Sequence, residues 1–110
     1  MGREGLGEFE HLVLLAVARL GGDAYGVPIV DELEAQTGRR VSRASVYVAL
    51  KRLEAKGYIG SALGEPTPER GGRAKRYFQV TALGRRRLQD ARAALMKMWA
   101  GLPAVARKQS

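Results

Sequence analysis

Residues 42–57, SRASVYVALKRLEAKG, read as an amphipathic helix with a cap at each end. Ser42 is a natural N-cap, because its hydroxyl can accept a bond from a free N–H of the first turn. Gly57 suits a left-handed stop. At the helical turn per residue, Val46, Ala49, Leu50 and Leu53 gather on one face. Ala44, Val48, Lys51 and Ala55 gather on the other, flanked by Tyr47 and Arg52. Small side chains let a helix backbone sit deep in a major groove, and alanine or valine methyls can meet thymine methyls. Lys51 and Arg52 have the reach and charge for phosphates or guanine edges.

The segment after this helix sharpens the reading. Residues 58–63 predict a strand and residues 75–80 its antiparallel mate. Between them GEPTPERGGRA carries two prolines and three glycines and can continue neither element. Arg70, Arg73, Lys75 and Arg76 line its returning side, and Gly71-Gly72 lets the backbone come close to a phosphate. A groove-sized helix followed by a basic hairpin is the working half of a winged helix. The expected fold is mainly α with a small β-hairpin: a winged helix-turn-helix over residues 1–80, a C-terminal dimerisation helix over 81–103 and a frayed tail over 104–110.

Charge is distributed in the same sense. The chain has 19 Lys and Arg against 11 Asp and Glu, a net of +8. Residues 1–38 hold 2 basic and 7 acidic groups, whereas residues 39–87 hold 13 basic and 3 acidic ones. Concentrating the excess in one block gives a phosphate-binding footprint. A basic face that merely keeps a small protein in solution is the plain alternative.

Upstream, residues 8–20 read as a first helix with Glu8 and Glu10 in its opening turn, where acids favour the helix dipole. Its apolar residues cover nearly the whole circumference, so one side, including Leu12 and Leu15, is expected to meet a second subunit. Residues 24–37 read as a second helix with Val27, Ile29, Val30 and Leu33 on one face and Pro28 in its first turn. Arg39, Arg40 and Val41 suggest a very short strand. Downstream, Thr81 is a candidate cap for a fourth helix. Leu88, Ala91, Leu95, Met98 and Leu102 fall at alternating three- and four-residue steps, a coiled-coil-like seam that predicts a dimerisation arm ending at Pro103.

Much chemistry is excluded. At 110 residues the chain is one domain by length, and 45% hydrophobic content is that of a globular protein. Without cysteine there is no disulfide, thiolate metal site or cysteine nucleophile. His11 is the only histidine and lies in an apolar helix, so no metal-ligand spacing or Ser/His/Asp set can be built. The expectation is no enzyme, no cofactor and no metal. No run is long and apolar enough for a membrane span and the start lacks a basic-then-apolar leader, which predicts a cytoplasmic protein.

Four strings together resemble the PadR family of bacterial transcriptional regulators: LGEFEHLVLLAVARLG (6–21), DAYGVPIVDELE (23–34), SRASVYVALKRLEAKGYI (42–59) and RGGRAKRYFQVTALG (70–84). The single short C-terminal helix is similar to the compact branch of that family. The resemblance implies a homodimer that binds double-stranded DNA at an imperfect palindrome, usually as a repressor, and in some members a small aromatic effector that releases it. By position it makes Ser42 the cap of the recognition helix and places Arg43, Ser45, Tyr47 and Lys51 at the DNA. It matches Tyr25-Gly26 to the family's YG, with Tyr25 at a phosphate, and Arg73 and Lys75 to the wing. It sets Trp99 where some relatives hold an aromatic residue at the dimer interface. Trp99 with Met96 and Met98 can line a pocket for flat apolar compounds, while the plainer reading makes them dimer core. Two other functions compete: a winged module for protein assembly with an acidic partner, and an RNA-binding winged domain.

Overall fold

The computed structural model describes residues 6–64 and 74–103. Helix α1 spans Glu8–Leu20, α2 Gly26–Thr37, α3 Arg43–Ala55 and α4 Ala82–Trp99; strands β1 (Ile59–Leu63) and β2 (Arg76–Val80) separate α3 from α4. The wing tip with Arg70, Gly71, Gly72 and Arg73, and the tail 104–110, lie outside the described residues.

The core forms where the three-helix patterns converge. Val13, Leu14 and Val17 of α1, Ile29 and Leu33 of α2, and Val46, Leu50 and Leu53 of α3 are all buried, joined by Tyr58, Ile59 and Phe78 of the hairpin. Each fully buried Leu or Ile contributes about 1.5–3 kcal/mol. The predicted inner face of α3 is the buried one. Around α1 the apolar belt is not closed: Leu12 is half-buried and Leu15 is 39% exposed.

The second helix departs from expectation at its start. A one-turn 3₁₀ helix, Gly21–Asp23, follows α1, and Tyr25 is extended, so α2 begins at Gly26 rather than at residue 24. Val27 is 44% exposed and does not share the core face with Leu33. At ~100° per residue, two three-residue steps leave Val27 about 120° round the helix from Leu33, whereas Ile29, four residues away, stays within about 40°. Residues 39–41 form no strand; the Val41 N–H instead donates to Glu34 Oε2 at 3.0 Å.

Strands β1 and β2 pair antiparallel, from Ile59 opposite Val80 to Leu63 opposite Arg76. Phe78 N–H donates to the Ala24 carbonyl at 2.8 Å and so ties the hairpin to the segment between α1 and α2. The wing is thereby fixed beside the start of α2.

Helix α4 grows from a tight joint. Thr81 Oγ1 accepts from Gly84 N–H at 3.0 Å and donates to the Gly57 carbonyl at 2.7 Å. Thr81 N–H donates to the Tyr58 carbonyl at 3.0 Å. Gly84 is buried so closely on that Tyr58 carbonyl that a Cβ there would collide with it. Beyond this root α4 leaves the domain: Leu88 and Ala91 are half-buried, and Leu95 and Met98 are exposed. The helix stops at Trp99, not at Pro103, because Gly101 turns left-handed at φ 81°. Leu102 therefore lies past the helix and off the predicted seam.

Candidate nucleic-acid interface

The outward face of α3 carries Ala44, Val48, Lys51 and Ala55, all exposed. Its opening turn is built to remain positive. Ser42 Oγ accepts from Ser45 N–H at 3.0 Å and donates to Ser45 Oγ at 2.8 Å, which defines the turn. The first turn holds Arg43 and no acid. By contrast, α1 opens with Glu8 and Glu10, which compensate its dipole. An uncompensated helix N-terminus beside an arginine favours an anion.

Helix α2 presents a second such end next to it. Its first turn also lacks acids, and its N-cap residue Tyr25 makes no side-chain cap bond. Tyr47 of α3 lays its phenol against Gly26, whose missing side chain makes the room. Tyr25 meets Tyr77 of β2 edge-on, with ring centroids 5.1 Å apart. Lys75 Nζ lies 5.4 Å from the Tyr25 ring centre, a cation–π contact. Tyr25, Tyr47 and Lys75 are thus brought together at one end of α2, although the chain separates them widely.

Between α3 and the hairpin runs a cleft of about 490 Å³ lined by Tyr47, Lys51, Glu54, Ser61 and Arg76. Arg76 Nη1 donates to Ser61 Oγ at 3.0 Å, and Ser61 Oγ donates to Glu54 Oε2 at 2.8 Å. This chain of bonds fastens the wing to the last turn of α3 and aims Arg76 along the cleft. Arg52 lies elsewhere: its Nη1 is 3.9 Å from Glu10 Oε2, beside the Lys56–Glu10 pair at 2.7 Å. It leans toward α1 and away from Lys51's cleft.

Glu54, Ser61 and Tyr77 are parts of this surface that sequence reasoning did not assign, and Gly26, matched there only as a motif, makes room for Tyr47. Period-two alternation in RYFQV was a usable signal for Tyr77, since it puts Tyr77 on the face opposite buried Phe78. No local pattern marks Ser61, whose partners lie 7 and 15 residues away. Arg73 lies outside the described residues. Met96 and Trp99, each 56% exposed, stand at the far end of α4, away from the α3 face and beside Met98 at 75%. Among the described residues no helix is long and apolar enough to cross a membrane.

Comparison with known proteins agrees with this geometry. A family model described as "Transcriptional regulator PadR-like family" matches residues 14–90. The fold is similar to a PadR-like transcription factor from Bacteroides fragilis, with TM-score 0.71, 20% identity, and 87% and 85% of the two chains covered. A PadR family transcription regulator from Clostridium difficile R20291 gives TM-score 0.69 at 23% identity over 84% of this chain and 91% of that one. One from Eggerthella lenta DSM 2243 gives 0.66 at 24% identity over 92% and 88%. No curated protein sequence matches the chain. These likenesses fix the fold as a winged helix-turn-helix.

Proposed function

This chain belongs to the PadR-like family of transcriptional regulators, and from that membership we propose that it is a sequence-specific repressor of its target promoter, acting on duplex DNA as a homodimer in the cytoplasm. The observation that carries this is the open face of α3, cationic and exposed among the described residues, flanked by the first turn of α2 and the wing. Ser42, Arg43, Ala44, Ser45, Tyr47, Val48 and Lys51 enter or border the major groove. Tyr25 and Lys75 hold one flanking phosphate strand, and Arg76 lies along the other side of α3. Arg52 approaches phosphate only by leaving Glu10. Residues 1–80 form the DNA-reading part and α4 the pairing part.

The unpaired apolar side of α4 supports the dimer. Leu95, Met96, Met98 and Trp99 are all more than half exposed in a single chain. A two-fold pairing through α4, with Leu12 and Leu15 of α1 alongside, sets two copies of α3 toward successive major grooves about 34 Å apart. Met96 and Trp99 then meet at the pairing surface, where a flat aromatic effector would slip between them and alter the spacing of the two reading helices.

Titration against the protein's own promoter and a random duplex, at two salt concentrations, tests the reading. Phosphate contacts make both affinities fall steeply with salt, while the promoter keeps its advantage. Equal affinity for the two duplexes would rule out operator recognition. Quenching of the single tryptophan by planar aromatics, together with loss of promoter binding, tests the effector.

A further inference from the structure

We propose that α3 selects A·T pairs through the C5-methyl groups of pyrimidines, with Val48 and Ala44 as the side chains that touch them. The inference rests on α3 being the helix that enters the major groove, and it concerns what that helix can distinguish there.

The polar inventory of α3 leaves few other routes. A two-bond contact to adenine requires Asn or Gln, and α3 contains neither. The usual side-chain acceptor for cytosine N4 is a carboxylate. The only one on α3 is Glu54, which already accepts from Ser61 in the last turn. The Ser45 hydroxyl accepts from Ser42 and keeps one proton and one lone pair, so it can donate or accept and does not by itself tell one base pair from another. The Tyr47 phenol is laid against Gly26, and Arg52 leans to Glu10. Arg43 and Lys51 remain, and cations choose guanine or phosphate.

Between those two cations the open face offers only Ala44 and Val48, one helical turn apart. Val48 is 48% exposed at a helix site where valine is a weaker helix former than alanine, lysine or glutamate. Its two methyls gain free energy only when something apolar covers them. In the major groove the one apolar feature of the base edges is the thymine methyl.

A reader of this kind has a distinctive signature. It responds to the methyl and not to the hydrogen-bonding pattern of the pair. At the position under Val48, thymine and 5-methylcytosine are therefore equivalent, while uracil and unmodified cytosine are both poor.

The experiment uses the full chain and an operator selected from a random duplex pool. Each thymine is replaced in turn by deoxyuridine. One or two positions per half-site should lose about fourfold in affinity for each methyl removed, or about fifteenfold when both halves of a palindrome are altered. A 5-methylcytosine·guanine pair at that position should restore binding, and cytosine·guanine should not. In Val48→Ala, with unchanged circular dichroism and melting, one uracil penalty should vanish. Indifference to uracil everywhere, or uracil penalties that persist undiminished in Val48→Ala, overturns this inference alone. A pool that yields no operator overturns the regulator reading and this inference with it.

Discussion

Helices α3 and α4 use similar residues and meet opposite fates. In α3 the apolar positions Val46, Ala49, Leu50 and Leu53 are all buried, and the cations face outward. In α4 only Gly84 is buried, and Leu95, Met96, Met98 and Trp99 face outward beside the cations Arg92 and Lys97. Helix α3 finds its partner surface in α1, α2 and the hairpin of its own chain. Helix α4 packs on its own domain only near its root, at Gly84 and Leu88, and among the described residues its outer half is uncovered. An amphipathic stripe therefore states only that a surface must be covered; whether the cover belongs to the same chain depends on where the helix is rooted.

The contrast can be broken most directly at α4. Leu95→Asp combined with Met98→Asp places charges on the pairing stripe. Each large apolar side chain there contributes about 1.5–3 kcal/mol and is used twice in a symmetric pair. Light scattering should show a shift from dimer to monomer with helicity retained, and an unchanged mass would remove α4 from the pairing surface. Next in size is Gly84→Ala, which drives a methyl into the Tyr58 carbonyl at the joint between the two helices. Overpacking of this kind costs roughly 3 kcal/mol, readable as a lower urea midpoint. A midpoint equal to the parent's would mean that the joint yields freely.

Smaller effects sharpen the α3 side. Lys51→Ala should leave stability intact, because Lys51 is exposed. It should weaken all duplexes and flatten the slope of log affinity against log salt by about 1, the share of one phosphate. An unaltered slope would place Lys51 away from phosphate. Ser61→Ala cuts the Glu54–Ser61–Arg76 chain. Its cost to DNA affinity should be about 1 kcal/mol or less, since the network is solvent-exposed. A double-mutant cycle between Glu54 and Arg76 should show coupling that disappears in the Ser61→Ala background.

The smallest effect is a pH dependence in α1. Partial burial of His11 holds its imidazole below the ordinary value of 6.5. The unfolded chain thus takes up the proton more readily. The stability involved is present above pH 6.5 and is lost as the pH falls through the folded-state value. Urea midpoints at about pH 7.5 and about pH 5.5 should differ less in His11→Gln than in the parent. An equal difference would assign the acid sensitivity to other groups.

Much of α3 was legible in the residues alone. Its core face repeats strictly at helical spacing, Ser42 and Thr81 announce the helix starts, and Pro and Gly bound the wing. The surface around it was legible only in part. Ser42, Arg43, Lys51 and Lys75 stand out by type and position, whereas the ties that shape the surface join distant segments: Glu10 to Lys56 and Arg52, Tyr25 to Lys75, and Glu54 through Ser61 to Arg76. Periodicity is local and cannot reveal such pairs. The misplaced features have equally local causes. The 3₁₀ turn after α1 and the stop at Gly101 are single backbone choices that a stripe of apolar residues does not record. Val27 was misassigned because three-residue spacing drifts round a helix when the fourth residue is not apolar.

The joint at Thr81 and Gly84 has one more consequence. Two hydrogen bonds, from Thr81 to the Gly57 and Tyr58 carbonyls, and a side chain of zero size at Gly84 weld the base of α4 to the segment leaving α3. The base of α4 thereby has little room to swing against the segment that leaves α3. In the proposed dimer, remodelling the far end of α4 would retune the spacing of the two α3 helices without altering a residue of their outward faces.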